Sequence, residues 1–262
     1  MKMKRSISNI AWAAQDDESV YRMLADCGFD AIEIAPTRWF PDKPYDHASE
    51  ASYIAKQLFA EYGLKISSMQ SIWYGKTQSL FGSSQDRMDL LEYTRRAIDF
   101  AAAIGCGNLV FGCPKNRVIP DGVTDETAIE FFYECGEYAT QRGTCFSIEP
   151  NPPIYHTNYI NTTQEAIDVV RRVDSAGCRI NVDLGTMIHN NEQISLIEQN
   201  LSWVRHVHLS EPHLVQPCHD DLHAQMIHML RNNDYKGYVS IEMGSQCGLG
   251  AVRTAITKVA KL

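Results

Sequence analysis

The chain has 262 residues, 44% apolar and 21% charged, an ordinary composition for a soluble globular protein and a length that suits one large α/β domain or two small ones. Its net charge of −8 argues against a nucleic-acid-binding surface, whose phosphate contacts call for clustered Lys and Arg, but leaves room for a small anionic substrate. The eight Cys are scattered and never form Cys-x-x-Cys, which reads as reduced core thiols and excludes a zinc knuckle or a disulfide framework.

The basic start, Met-Lys-Met-Lys-Arg, resembles the opening of a signal peptide, yet no adequate apolar run follows it. No segment is long enough to span a membrane, so a cytoplasmic protein is expected. Ser6–Trp12 reads as a first strand, and Asp16–Cys27 as a helix ending at Gly28. Asp30–Ala35 is a second strand, stopped by Pro36. A polar, aromatic loop precedes a helix over His47–Tyr62, closed by Gly63, and Leu64–Gln70 is the third strand. After a long loop comes a strongly periodic helix, Gln85–Ile104, and then a fourth strand, Gly107–Phe111. Asp125–Arg142 is helical and stops at Gly143. Further helices are expected at Thr163–Val173 (capped by Thr163), Glu192–Leu201, Asp220–Asn232 and Leu249–Lys261.

Eight strand–helix pairs of this size imply a parallel sheet with right-handed crossovers, closed into one (β/α)8 TIM barrel over residues 1–262. An open doubly wound sheet is the alternative, but the Gly-rich phosphate turn after its first strand is missing.

Four later strands end in a residue able to bind a metal: Phe146-Ser-Ile-Glu149, Arg179-Ile-Asn-Val-Asp183, Arg205-His-Val-His208 and Val239-Ser-Ile-Glu242. Strand side chains alternate between faces, so Ser147/Glu149, Asn181/Asp183, His206/His208 and Ser240/Glu242 each share one, with the first of each pair deeper. A single polar residue at a strand exit is explained equally well as a cap for the next turn. Four in consecutive strands point to a shared site, at the barrel end where such folds place their chemistry. Three carboxylates and one imidazole suit one divalent ion: Mn, Mg, Co or Zn.

Weaker substrate-binding candidates lie in the loops. Arg38, Lys115 and Arg117 offer charge for a phosphate or carboxylate, and Trp12 and Trp73 offer a face for a sugar. His189, His219 and His223 follow the later strands, and Glu33 ends the second strand, where a buried structural role is equally plausible.

The runs Ser-Ile-Glu-Pro, Asn-Val-Asp, His-Val-His-Leu-Ser-Glu and Gly-Tyr-Val-Ser-Ile-Glu-Met resemble the xylose-isomerase-like barrel superfamily, as does Gly28-Phe-Asp-Ala-Ile-Glu-Ile34. Within it they are most similar to the sugar-phosphate isomerase/epimerase group of ketose 3-epimerases, hydroxypyruvate isomerases and inosose dehydratases. The resemblance implies an isomerase or epimerase acting on a sugar, ketose or sugar phosphate through a metal-stabilised enediolate. Glu149 and Glu242 would be its acid/base pair, while Asp183 and His208 would hold the metal with them. Three positions depart from the ketose-epimerase pattern. Thr186 stands where a His is expected, Leu214 where an Arg is expected, and Pro150–Tyr159 contains no carboxylate. A sugar or inosose dehydratase fits the same scaffold. An endonuclease IV-like repair enzyme would place a second metal pair near Asp221 and His223, and a non-catalytic sugar-binding barrel is the third alternative. The expected partner is a small sugar or sugar phosphate, with no nucleic acid and no membrane, and the chain is compatible with a homo-oligomer.

Overall fold

Eight short apolar runs form eight parallel strands: β1 (Lys4–Ile7), β2 (Ala31–Ile34), β3 (Lys65–Met69), β4 (Leu109–Phe111), β5 (Phe146–Ile148), β6 (Cys178–Asp183), β7 (Val204–Leu209) and β8 (Tyr238–Ile241). The computed structural model describes residues 3–262; Met1 and Lys2, the first part of the basic N-terminal run, lie outside the described residues. The strands follow the order β1-β8-β7-β6-β5-β4-β3-β2, every pair parallel. The seam between β1 and β2 closes through one bridge, Ser8 to Glu33. Beside it the Arg5 amide donates to Asp30 Oδ2 (2.9 Å) and the Asp30 amide to the Arg5 carbonyl (3.0 Å). The result is the expected (β/α)8 TIM barrel.

The helices between strands are α1 (Asp17–Asp26), α2 (Pro36–Trp39), α3 (Ala48–Tyr62), α4 (Ser84–Ala103), α5 (Glu126–Gln141), α6 (Thr163–Val173), α7 (Leu184–Asn190), α8 (Ile194–Glu198), α9 (Asp220–Asn232) and α10 (Gly248–Lys261). Among the described residues, no helix is long and apolar enough to cross a membrane.

Period-two alternation divides the strand residues between two environments. One set, including Ile32, Ile34, Phe111, Ile148, Val182 and Ile241, joins the apolar core that also holds Leu24, Leu58, Ile98, Phe132, Val170 and Ile256 from the helices. The other set fills the barrel with hydroxyls, amides and charge. Ser6 and Ser67 share a hydrogen bond of 2.7 Å across the interior, and Asn108 Nδ2 donates to Ser68 Oγ at 2.9 Å. Ser147 Oγ donates to Asn108 Oδ1. Branched aliphatics usually dominate such interiors; these hydroxyls and amides are buried but bonded to one another, which removes most of their desolvation penalty.

Most boundaries fall within one or two residues of the sequence expectation, and three elements differ in extent or cap. The first strand stops at Ile7 rather than Trp12, because Ser8 Oγ accepts the Ile10 amide and starts a 3-10 turn over Asn9–Ala11. The helix expected at Glu192–Leu201 is shorter, α8 over Ile194–Glu198, and a separate helix α7 that the sequence reading did not include precedes it, capped by Asp183 at the strand exit. Helix α6 is capped by Thr162, not Thr163: Thr162 Oγ1 accepts the Glu165 amide at 3.2 Å while Glu165 Oε2 accepts the Thr162 amide at 3.2 Å. Thr162→Ala should therefore lower the unfolding free energy by about 1 kcal/mol, measured by chemical denaturation.

Candidate metal centre

Glu149, Asp183, His208 and Glu242 stand at the C-terminal ends of β5, β6, β7 and β8, where the strand ladder still carries their backbones: the Glu149 amide donates to Phe111 and the Glu242 amide to Leu209. Register sets Asp183 opposite His208. The four side chains each present a ligand atom within 4.8 Å of all the others, and all four residues are buried. His208 Nδ1 lies 3.0 Å from Glu149 Oε1, 3.3 Å from Glu242 Oε2 and 4.0 Å from Asp183 Oδ2. Hard oxygen donors with one imidazole nitrogen, converging at this spacing, fit a divalent cation.

The layer beneath orients this cluster. Glu33, wholly buried, reaches across the barrel to His208 Nε2 at 3.1 Å and accepts the Ser240 hydroxyl at 2.9 Å. By holding the Nε2 proton it leaves Nδ1 facing the carboxylates, which is the geometry that a metal-binding imidazole requires. His206 Nε2 sits 3.6 Å from the same carboxylate. Asn181 Nδ2 donates to Glu149 Oε1 (2.6 Å) and Asn151 Nδ2 to Glu149 Oε2 (3.1 Å). Asp183 Oδ1 accepts the Thr186 amide at 2.6 Å, and Oδ2 accepts the Ser210 hydroxyl. Asp183 is thus both a helix cap and a member of the cluster; the two readings of a polar strand exit coincide there. Gly112 leaves the space that Glu149 occupies, since a Cβ on it would lie 2.7 Å from Glu149 Oε2.

Close packing of like charges shifts their titration. Burial, with the Glu149 charge adding, pushes the Asp183 carboxyl up to about 6. Burial also raises Glu242 to about 7, against the opposing pull of His208. Burial disfavours charge on His208, but the Glu242 and Glu33 carboxylates outweigh it and hold the imidazole well above its ordinary value. Glu33 is likewise disfavoured by burial, yet His208 and His206 keep it well below the usual carboxylate range.

A cavity of about 170 Å³ opens over the cluster, lined also by Gln70, Asn151, Tyr155, Glu211 and Leu214. The Tyr155 hydroxyl accepts the His213 amide at 2.8 Å, so the loops after β5 and β7 meet at the pocket.

The weaker candidates are placed elsewhere. Trp12 is buried and donates to Asp17 Oδ1 (2.6 Å); Trp73 is buried and donates to Thr94 Oγ1 (2.8 Å). Arg38 is tied to Asp17 at 2.7 Å, and Lys115 and His189 are exposed. Arg117 is fully buried, donating to the Glu149 carbonyl (2.9 Å), Asn151 Oδ1 (3.0 Å) and the Ile160 carbonyl (3.3 Å), so it supports Glu149 from below. His219 and His223 bracket Glu211, which also accepts the Cys218 and His219 amides at 2.8 Å. Thr186 Oγ1 donates to the Pro150 carbonyl at 2.9 Å, so the residue in the departing position fastens α7 to the β5 loop. Asn151, Ser210 and Glu211 were not singled out from the sequence; each lies two or three residues past a cluster residue, which was the available signal.

Fold and strand-end cluster together define a class, the xylose isomerase-like TIM barrels, and the model of that family matches residues 21–259: the chain belongs to it. A search of curated proteins finds no match. Among solved structures, the chain is similar to 3-keto-D-glucoside 4-epimerase YcjR from E. coli (20% identity, 99% of this chain and 98% of that one, TM-score 0.76). It is similar also to an AP endonuclease of family 2 from Brucella melitensis (21% identity, 99% of each chain, TM-score 0.75). D-psicose 3-epimerase with D-tagatose from Clostridium cellulolyticum H10 superposes at TM-score 0.76, with 18% identity over 99% of this chain and 97% of that one.

Three outcomes are expected. Glu33→Gln should weaken Mn²⁺ binding by about 10- to 100-fold, measured by calorimetry, with the fold retained. Because Asp183 and Glu242 hold protons in the ion-free fold that the unfolded chain releases at ordinary carboxylate values, ion-free stability should fall as pH rises through about 6 and about 7. A bound cation displaces those protons, so the rise in Tm on adding Mn²⁺ should be larger at about pH 8 than at about pH 5.5.

Proposed function

We propose that this chain acts as one domain and is a divalent-metal-dependent isomerase or epimerase of a sugar, moving a carbon-bound proton with Glu149 and Glu242. The observation that carries the reading is the convergence of these two carboxylates with Asp183 and His208 in one buried cluster. The likeness to a keto-glucoside 4-epimerase and a psicose 3-epimerase supports a sugar as substrate.

A divalent ion held by Glu149, Asp183, His208 and Glu242 would supply Lewis acidity to the carbonyl and hydroxyl oxygens of a hydroxy-ketone. Glu149 and Glu242 come from strands three apart around the barrel and so reach a bound sugar from different sides. One carboxylate takes the proton from the carbon beside the carbonyl; the other returns a proton to the opposite face, inverting that carbon. Return by a single carboxylate to the neighbouring carbon moves the carbonyl instead, and loss of an adjacent hydroxyl gives a dehydratase. Asn181 and Asn151 fix the Glu149 carboxylate, and the Tyr155–His213 contact joins two loops at the rim of the pocket.

The test is exchange of a carbon-bound proton with deuterated water, using Mn²⁺- or Co²⁺-loaded protein and a panel of ketoses and ketose phosphates. Glu149→Gln and Glu242→Gln should each reduce exchange by about 100-fold or more. Full exchange in both variants overturns the assignment.

A further inference from the structure

Beside the carboxylate pocket lies a larger cleft of about 460 Å³, and the two share Ser71, Cys113 and Pro114 as a common wall. Their charges are opposite. The inner pocket is lined by Glu149, Asp183, Glu211 and Glu242, and no Lys or Arg lines it among the described residues. The outer cleft is lined by Lys76 and Lys115 and by no acidic residue among those described. Neither lysine is in an ion pair among the described residues, whereas Arg38 is paired with Asp17 and Lys258 with Asp220. Lys76 is braced with Nζ 3.7 Å from the centre of the Tyr93 ring, a contact that positions the ammonium without cancelling its charge. In a chain of net charge −8, two uncompensated cations against a cluster of carboxylates form a local anion site.

The cleft is built rather than incidental. Asn116 Nδ2 donates to the carbonyls of Lys76 (3.0 Å) and Gln78 (2.9 Å), and the Leu80 amide donates to the Asn116 carbonyl (2.7 Å). These bonds join the β3 loop to the β4 loop, so that Lys76 and Lys115 line the same cleft. Tyr74, 72% exposed, stands in the same lining as an open aromatic face.

We infer that the outer cleft binds a phosphoryl group carried by the substrate, with Lys76 and Lys115 as its cationic partners. This rests on the isomerase/epimerase reading: the reacting carbons occupy the inner pocket, and the phosphorylated end extends past Ser71 and Pro114. Among the described residues the inner pocket offers no Lys or Arg for that group, and the buried Arg117 is committed to Glu149, Asn151 and Ile160. The phosphoryl group belongs either to a simple ester or to a nucleoside diphosphate, whose base would stack on Tyr74.

Calorimetry with inorganic pyrophosphate on metal-free protein tests the cleft without any turnover. Wild type and Glu149→Gln should bind alike, while the Lys76→Met/Lys115→Met double variant, its fold checked by circular dichroism, should bind about tenfold or more weakly. No binding to wild type, or equal binding by the double variant, overturns the inference. D-fructose 6-phosphate and uridine diphosphate as competing probes separate a monoester from a diphosphate. If lysine-dependent binding holds while no sugar exchanges its proton, the isomerase reading fails and the anion cleft stands; exchange with lysine-independent binding sinks the cleft alone.

Discussion

The contact on which the candidate site depends is the one between Glu33 and His208. It joins β2 to β7 through the barrel interior, over a chain separation of 175 residues, with neither side chain exposed. A carboxylate and an imidazole buried together are stable only as a pair, since either alone would meet the full desolvation penalty. The pairing fixes the imidazole ring and its proton, and the ring in turn sets the point on which Glu149, Asp183 and Glu242 converge. Ser240, His206 and Asn181 complete the same layer, so the cluster rests on a polar floor rather than on aliphatic packing.

That floor has an electrostatic consequence. Three buried carboxylates brought within a few ångströms of one another cost stability in the absence of a cation: burial, with the Glu149 charge adding, raises the titration of Asp183 and Glu242. The protonated His208 offsets part of this from below. The folded barrel therefore carries a standing demand for positive charge at one point, which a metal ion or protons can meet. The chain keeps its arginines away from that point: Arg117 lies beneath Glu149 with its donors spent on carbonyls and an amide oxygen, and Arg38 is neutralised by Asp17.

Much of this was legible in the sequence, for local reasons. Strand–helix alternation and the Gly residues at helix ends reveal the barrel, and period-two alternation puts Ser147, Asn181, His206 and Ser240 under the four strand-end residues. What was illegible depends on contacts distant along the chain. Glu33 looks like any polar residue at a strand end until the barrel brings it to His208. Trp12 and Trp73 occupy loop positions suited to a sugar, but Asp17 and Thr94 satisfy their indoles in the core. Thr162 and Thr163 offer the same hydroxyl one residue apart, and only the reach to Glu165 decides between them. The loop after β7 hides its organisation most completely, because His219 and His223 assemble on Glu211 rather than on the strand-end cluster.

The seam of the barrel gives Glu33 a second meaning. Its backbone makes the bridge to Ser8 that closes β1 against β2, while its side chain carries His208. Closure of the cylinder and assembly of the strand-end cluster are therefore linked through one residue. A breathing motion that parts β1 from β2 would slacken the imidazole on the far wall at the same moment. The closing seam of the barrel is thus mechanically coupled to its most highly charged point, and a cation bound there would act as a clasp on the ring of strands.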